Sequence, residues 1–322
     1  MRQFAKPTIV VSKCLEFDAC RYNGEMIPDV TIRNLQPFVT FIPVCPEVEI
    51  GLGTPRETIR IVEENGENRV VQPSTREDVT EKMEQFSNDF LQTIPDVDGF
   101  ILKNRSPSCG TRDVKIYSGF EKAPAKGKGS GLFGGAVVKK FSHLPIEEEG
   151  RLSNFIIREH FFTRLFTIAY YKMIKHNKNI KDLVSFQSDN KYLFMAYNQV
   201  KQKELGRIIA NQKNEKIEVV FENYEKTLYE LFMRAPRYTS NVNVCEHIFG
   251  YFKTKLKKQE KDHFIELLQK YAEKKIPLSS LLTILKSWAI RFDEKYLLRQ
   301  TYFEPYPEAL VEISDSGKGR DY

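Results

Sequence analysis

Residues 8–14, Thr-Ile-Val-Val-Ser-Lys-Cys, join a short apolar run to a cysteine. The run is typical of a buried β-strand, since β-branched side chains pack well on a pleated surface. Cys45 and Cys109 each follow a similar run further along the chain. In an open parallel sheet, the loops after such strands lie along one carboxyl edge, where α/β proteins bind their ligands. We therefore expect the thiols of Cys14, Cys45 and Cys109 to converge.

The first half of the chain alternates strand-like runs with helical stretches, a pattern that favours an α/β domain with a mostly parallel sheet. The predicted strands cover residues 8–12, 38–44, 59–62, 69–71 and 98–103, and the predicted helices cover 29–37 and 75–93. Thr75 is the expected N-cap of the second helix, because threonine accepts hydrogen bonds from the first N–H groups of a helix.

Residues 126–131, Lys-Gly-Lys-Gly-Ser-Gly, form a basic glycine-rich stretch, and Gly134-Gly135 follow it. Glycine-rich loops can hold phosphate through their backbone N–H groups. The spacing here fits neither the P-loop nor the dinucleotide fingerprint, so a surface loop is the more frequent interpretation. The apolar run over 136–139 predicts a fourth parallel strand.

From about residue 148 the pattern changes to long helices, which predicts an all-α second domain. The expected domains are residues 1–147 and 148–322. The predicted helices cover 149–175, 182–211, 215–234, 240–256, 260–275 and 277–292.

Length, composition and cysteine content limit the class of protein. The chain has 322 residues, 41% of them hydrophobic and 29% charged, as in ordinary globular proteins of two domains. No apolar stretch approaches the ~20 residues that span a bilayer, and no signal peptide pattern is present. We expect a soluble cytoplasmic protein whose cysteines are reduced unless they bind metal.

Charge is distributed unevenly along the chain. Residues 1–150 carry 19 Lys and Arg against 22 Asp and Glu, whereas residues 151–322 carry 30 against 21. Such an excess in the second half indicates a polyanionic partner, although a solvated basic face is an equal alternative. The candidate RNA contacts are Lys201, Lys203, Arg207, Arg234, Arg237, Lys253, Lys255, Lys257 and Lys258, with Tyr238 and Tyr251 as stacking partners.

Three converging thiols in a reduced protein suit a metal or an iron–sulfur cluster better than a disulfide, because three is an odd number. Structural zinc is disfavoured, since the sequence has no close cysteine pair. The pattern favours a cluster with one iron open to substrate. Cys20 is a possible fourth ligand that more often would pack locally, and Cys245 is expected to be structural. The alternative is that all are ordinary core cysteines.

The sequence Cys45-Pro46-Glu47 places a carboxylate beside a candidate ligand in a turn that proline makes rigid. Glu47 is therefore a candidate general acid and base, with Glu49 as a competitor and a surface carboxylate as the alternative.

Residues 106–110, Ser-Pro-Ser-Cys-Gly, form the second such loop. Either serine could orient substrate or pass a proton. The cations Arg56, Lys103, Arg105 and Arg112 would make the surrounding cleft suitable for a nucleotide phosphate.

Three motifs together resemble the TudS-type thiouracil desulfidase family over about residues 5–145. They are residues 12–15 with 21–24, residues 45–47 with 51–56, and residues 106–110. Phe17 and Asn23 stand where many members have glycine and aspartate. The second half resembles the YbgA-like domain at Leu205 to Arg207, Asn241 to Val244, His247, Gly250 to Lys253, Gln300 and Pro305 to Pro307.

The fusion resembles two-domain desulfidases that act on 4-thiouridine in tRNA. The resemblance implies that Cys14, Cys45 and Cys109 hold a 4Fe–4S cluster whose open iron binds the substrate sulfur. Glu47 would shuttle protons, Ser106 would assist, and water would replace sulfur at C4 without net electron transfer. Expected substrate contacts are Ser12, Arg56, Lys103, Arg105 and Ser108, with tRNA contacts from Arg207, Arg234, Arg237 and Lys253.

Three alternatives remain open from the sequence. Free thiouracil or 4-thio-UMP could be the substrate. The chain could be a non-catalytic, metal-containing RNA-binding protein. A redox protein is disfavoured because an open iron invites substrate and oxidative damage.

Overall fold

The computed structural model describes residues 2–120, 124–211 and 215–312. The described residues form two compact units, one of residues 2–169 with 309–312 and one of residues 170–308. The division into domains at residues 147 and 148 stays a prediction.

The first unit contains nine strands and four helices among its described residues. A further helix begins in this unit and ends in the second one. Its strands are β1 (Thr8–Ser12), β2 (Thr40–Val44), β3 (Arg60–Glu64), β4 (Glu67–Gln72), β5 (Glu77–Asp78), β6 (Gly99–Leu102), β7 (Val114–Tyr117), β8 (Ala125–Gly129) and β9 (Ile146–Glu148). Its helices are α1 (Val30–Leu35), α2 (Pro46–Glu49), α3 (Thr80–Thr93) and α4 (Leu132–Phe141). The continuing helix is α5 (Phe155–Asn177).

The main sheet has the strand order β2-β1-β6-β9, and every neighbouring pair is parallel. Strand β1 lies inside it, and Ile9, Val10 and Val11 are fully buried. Consecutive buried residues of this kind require cover on both faces, as parallel sheets have. The predicted α/β class with a mostly parallel sheet is therefore confirmed.

A second sheet, of order β5-β4-β3-β7-β8, is mixed. Strands β3 and β7 are parallel, and the other three pairs are antiparallel. Its buried apolar side chains form a cluster of their own with α3: Ile59, Ile61, Val70, Val79, Met83 and Val114.

Two predictions around the glycine-rich stretch are wrong. Residues 136–139 lie in α4, and the fourth parallel strand is β9 instead. A short apolar run fits either a strand or a helix. Gly134, just before this run, allows a helix to pack closely against the backbone of Cys109 and Gly110, which favours the helix. Residues 125–129 are strand β8 at the edge of the second sheet rather than a loop.

Helix α3 begins at Thr80 rather than near residue 75. Thr75 is not its N-cap: the Thr75 hydroxyl bonds Gln72 and accepts from Glu77 N. The Asp78 carboxylate, within β5, accepts from Thr80 N at 2.9 Å instead.

The second unit is helical in its described part, as predicted for an all-α domain. After α5 come α6 (Ile180–Asp189), α7 (Lys191–Tyr197), α8 (Gln199–Ala210), α9 (Ile217–Leu231), α10 (Tyr238–Gly250), α11 (Lys258–Ala272), α12 (Leu278–Arg291) and α13 (Lys295–Leu298). The single helix predicted over 182–211 is wrong, because it is divided into three. Asn198 caps α8 by accepting from Val200 N and Lys201 N, and Asn190 bonds the Phe186 carbonyl. No helix in the described ranges is long and apolar enough to cross a bilayer.

Candidate active site

The three cysteines after β1, β2 and β6 line one cavity of about 350 Å³ at the carboxyl edge of the main sheet. Ser12 at the end of β1 pairs with Val44 at the end of β2, so Cys14 and Cys45 lie beyond neighbouring strand ends. The cavity is further lined by Ser12, Lys13, Cys20, Arg21, Tyr22, Val44, Glu47, Arg56, Thr58, Ile59, Lys103, Asn104, Arg105, Ser106, Pro107 and Ser108. Most of the predicted residues of the first half are therefore brought together, but Arg112 and Glu49 are exposed and do not line this cavity.

All of these cysteines are free thiols. Burial, and then the nearby Cys45, raise the pKa of Cys14 to about 12. Burial also raises the pKa of Cys109, against a hydrogen bond from Ser12 that lowers it. Cys14 and Cys109 are therefore protonated at neutral pH until a cation binds them, since thiolates are the form that ligates metal. No three His, Cys, Asp or Glu side chains in the described ranges are placed to hold a single metal ion.

Cys20 also lines the cavity and is buried. Its carbonyl oxygen lies 3.8 Å from Cys45 Sγ and accepts from Arg56 Nη1 at 2.9 Å. Burial, and then Cys45, raise the pKa of the Cys20 thiol to about 12. Cys20 thus contacts the site through its backbone as well as lying at its wall.

Glu47 is held on both carboxylate oxygens. Arg56 binds Oε2 through Nε at 2.8 Å and Nη2 at 2.7 Å, and Ser108 Oγ donates to Oε1 at 2.7 Å. Only 12% of the Glu47 side chain and 4% of the Arg56 side chain is exposed. Glu47 is therefore not a surface carboxylate. The N–H groups of Arg56 donate to Glu47 and to the carbonyl oxygens of Cys20 and Gly53.

The two serines of the Cys109 loop extend this network. Ser106 Oγ accepts from Cys109 N at 3.1 Å and lies 2.9 Å from Ser108 Oγ. Ser108 is 1% exposed and lies between Ser106 and Glu47. The three side chains form a continuous hydrogen-bonded row, through which a proton can pass along hydroxyl groups.

Ser12 and Lys103 join the ends of β1 and β6. The buried Ser12 hydroxyl accepts from Lys103 N at 2.8 Å. Lys103 Nζ contacts Asn104 and pairs with Glu149. Arg105 is exposed at the cavity rim.

Sequence reasoning missed the acidic residues that hold the Cys109 loop. Glu148 Oε1 accepts from Thr111 N at 2.7 Å, Thr111 Oγ1 at 3.0 Å and Arg112 N at 3.2 Å. Glu149 accepts from Asn104 N at 2.7 Å on the other side of the loop. Glu148 is buried, and a buried carboxylate is held by such donors. The available signal is the acidic run at 147–149, whose first two residues belong to β9.

Helix α4 packs against the same loop through glycine. A Cβ atom on Gly134 would lie 2.4 Å from the carbonyl oxygens of Cys109 and Gly110. We expect Gly134→Ala to destabilise the fold by ~1–3 kcal/mol, because overpacking must displace backbone. Gly206→Ala is the matched control, since its Cβ would meet nothing closer than 3.9 Å within α8. Urea unfolding of both variants measures the difference, and equal stabilities would contradict the close packing.

The candidate RNA contacts of the second unit differ in their surroundings. Arg207, Arg234, Arg237 and Lys253 are exposed. Lys201 instead pairs with Glu204 and Glu230, and Lys255 pairs with Glu294, so these two are engaged in ion pairs.

Two residues that carry the second resemblance are buried and structural. Gln300 donates to Ser188 O at 2.9 Å and accepts from Tyr192 N. Asn241 accepts from Tyr302 OH at 3.0 Å and donates to Tyr271 OH. Both are therefore core hydrogen bonders of the helical unit. Cys245 lies in the same core, 3.9 Å from Tyr302 OH.

Comparison with known proteins finds two family matches, one in each half of the chain. Residues 9–149 match the family described as 2-thiouracil desulfurase, and residues 191–307 match a family of unknown function, DUF1722. The uncharacterized protein YbbK of Bacillus subtilis (strain 168) is 35% identical over 118 residues, which are 34% of this chain and 77% of YbbK. The uncharacterized protein YbgA of Escherichia coli (strain K12) is 22% identical over 156 residues, which are 48% of this chain and 92% of YbgA.

Among solved structures, the 4Fe–4S-dependent thiouracil desulfidase TudS is 28% identical, covering 46% of this chain and 93% of its own. The TM-score is 0.35.

Proposed function

The chain belongs to the 2-thiouracil desulfurase family, and on that premise we propose that it is a desulfidase that converts 4-thiouridine in tRNA to uridine. One observation carries the proposal: three cysteines and a fixed glutamate from separate strand ends line one cavity. The products are the pyrimidine carbonyl and hydrogen sulfide, and water supplies the oxygen and both protons. No electron is transferred.

The donor set fits an iron–sulfur cluster. Cysteine thiolates are the ordinary ligands of such clusters, and three of the four free thiols at this cavity come from the loops after three different strands. Cys14, Cys45 and Cys109 would hold the cluster, with Cys20 at the same wall. When bound, a cluster with one iron free of cysteine supplies a Lewis acid for the substrate sulfur.

Glu47 is suited to activate water for attack on C4. Arg56 fixes Oε2, while Oε1 accepts one hydrogen bond from Ser108 and retains a lone pair for a proton of water. Glu47 then returns a proton to the departing sulfur, as general acid and base. The row Ser108–Ser106 keeps that carboxylate oriented and passes protons along the cavity wall.

Arg56 acts on the reaction through Glu47. We expect Arg56→Met to lower kcat by ~10- to 100-fold, which is the usual effect of removing a residue that orients a functional side chain. KM should stay within about twofold. Arg56→Lys should restore only part of kcat, because lysine cannot form the paired contacts of the guanidinium. Steady-state kinetics on one thiolated substrate measure both constants. A rise in KM with unchanged kcat would instead assign Arg56 to substrate binding.

The excess of positive charge in residues 151–322 supports a polynucleotide substrate. Arg234 and Arg237 lie in the segment just before α10 and are exposed. We expect the double variant Arg234→Glu, Arg237→Glu to bind tRNA about 10-fold more weakly, with a shallower dependence on salt. The control carries the same change of charge on exposed lysines of the first unit, Lys6→Glu with Lys139→Glu. Equal loss in both variants would argue against a tRNA-binding face in the second unit.

Substrate choice is tested by anaerobic reconstitution with iron and sulfide, followed by tRNA that contains 4-thiouridine. Loss of its near-ultraviolet absorption with release of sulfide is the expected result. The description of the family favours one other candidate, desulfidation of free thiouracil or 4-thio-UMP. Conversion of these molecules with tRNA left intact would select that candidate.

A further inference from the structure

A second cavity, of about 520 Å³, lies in the first unit beside the thiol cavity. The two cavities share Thr58, Ile59, Arg105 and Pro107 as lining residues. The remaining walls come from strands β3, β7 and β8 of the second sheet and from Asp113. The two cavities are therefore neighbours that meet at one shared wall.

The second cavity is strongly cationic. Its lining includes Arg60, Arg105, Lys115 and Lys128 against a single carboxylate, Asp113. Asp113 pairs with Lys128 at 3.0 Å. Lys115 forms no ion pair within the described ranges of the chain. Lys115 is therefore available to an anion.

Two of these lysines oppose each other across the sheet. Lys115 on β7 and Lys128 on β8 are direct partners in the antiparallel register. Like charges in directly opposite positions destabilise a sheet, by an amount on the order of a few tenths of a kcal/mol. A phosphate between the two ammonium groups relieves that repulsion. Lys128, which belongs to the basic glycine-rich stretch, thus lines the cavity from the edge strand β8.

An aromatic ring completes the cavity. The guanidinium carbon of Arg60 lies 4.9 Å from the centroid of the Tyr117 ring. Both side chains line the cavity, and Tyr117 is half-buried. A tyrosine ring and an arginine plane are the surfaces on which unpaired RNA bases stack.

We propose that this cavity binds the phosphodiester and the neighbouring nucleoside that flank the thiolated pyrimidine of an RNA strand. Arg105, at the shared rim, contacts the phosphate adjoining the reacting nucleotide, and Lys115 and Lys128 hold the next one. Arg60, supported on its other side by the Tyr117 ring, stacks on the flanking base. The assignment rests on the proposed desulfidase function for the identity of the reacting nucleotide, and it makes the first unit itself selective for a polynucleotide over a free base.

Lys115→Glu is the decisive variant. It reverses one charge of the cavity and can pair with Lys128 across the strands, so the sheet is expected to remain folded. Lys139→Glu is the matched control, an exposed lysine of α4 with the same change of charge. The probe is a fluorescently labelled trinucleotide with central 4-thiouridine, which binds the full-length protein in an anisotropy titration at several salt concentrations.

We expect Lys115→Glu to weaken trinucleotide binding about 10-fold or more and to lower the salt slope by about one, whereas Lys139→Glu changes neither. Equal binding by the two variants would overturn the proposal. If no variant and no wild type desulfidates anything, the proposed function fails, while the binding difference still supports the subsite.

Discussion

Replacing Cys45 with alanine is expected to abolish desulfidation, with kcat lowered by more than about 100-fold. That exceeds the usual effect of removing a residue that only supports a metal ligand. Cys45 comes directly after the last residue of β2, and its thiol lies at the wall shared with Cys14, Cys20 and Glu47. A cluster proposed to rest on three cysteines keeps two without it. We expect anaerobically reconstituted Cys45→Ala to bind substantially less iron and sulfide per chain than the wild type and to release no sulfide from thiolated substrate.

Cys245→Ser is the matched control for this variant. Cys245 is a fully buried cysteine of the helical unit, with its sulfur 3.9 Å from Tyr302 OH. Its replacement tests the cost of losing a buried thiol without touching the cavity. Unchanged iron content and sulfide release in Cys245→Ser, against loss of both in Cys45→Ala, is the expected pair of results. Wild-type iron content in Cys45→Ala would remove Cys45 from the proposed ligand set.

Cys20→Ala addresses the remaining thiol of the cavity wall. Cys20 contributes its carbonyl oxygen to Arg56, and that contact survives the substitution. We therefore expect Cys20→Ala to keep most of the iron and most of the turnover. Loss of iron as large as in Cys45→Ala would make Cys20 a fourth ligand. Iron and acid-labile sulfide assays on the reconstituted protein distinguish these two results.

The strands that carry the cysteines could be predicted because of their burial. Buried parallel strands have continuous apolar sequences, and β1 and β6 therefore stand out even when their neighbours are unknown. Strand β2 lies at the sheet edge with only Val44 buried, and its apolar sequence alone identifies it. Strand β9 could not be recognised, since Ile146 is its single apolar residue and two glutamates complete it. Its pairing with β6 depends on a partner distant in sequence.

The same reasoning separates what could be predicted at the site from what could not. Position after a strand end was sufficient to select the cysteines and Glu47. The role of Arg56 depends on how residues 51–56 return to the cavity, which periodicity does not encode. Its paired contact with Glu47 joins residues nine apart along an irregular loop. Likewise, Ser108 reaches Glu47 only because β2 and β6 flank β1 in the sheet.

Glu47→Gln is expected to keep the bound iron and to lose turnover by ~10²- to 10⁴-fold, the range ascribed to a positioned acid or base. Glutamine matches the shape of the side chain and can still accept from Ser108 Oγ, but it cannot take a proton from water. Burial of the Arg56 guanidinium without its carboxylate will also lower stability, so unfolding by urea is measured beside kcat.

Glu49→Gln is the control, because Glu49 is exposed in the same short helix α2. A folded Glu47→Gln protein with wild-type iron and wild-type kcat would exclude the acid–base role of Glu47. Loss of kcat in Glu49→Gln alone would transfer that role to Glu49.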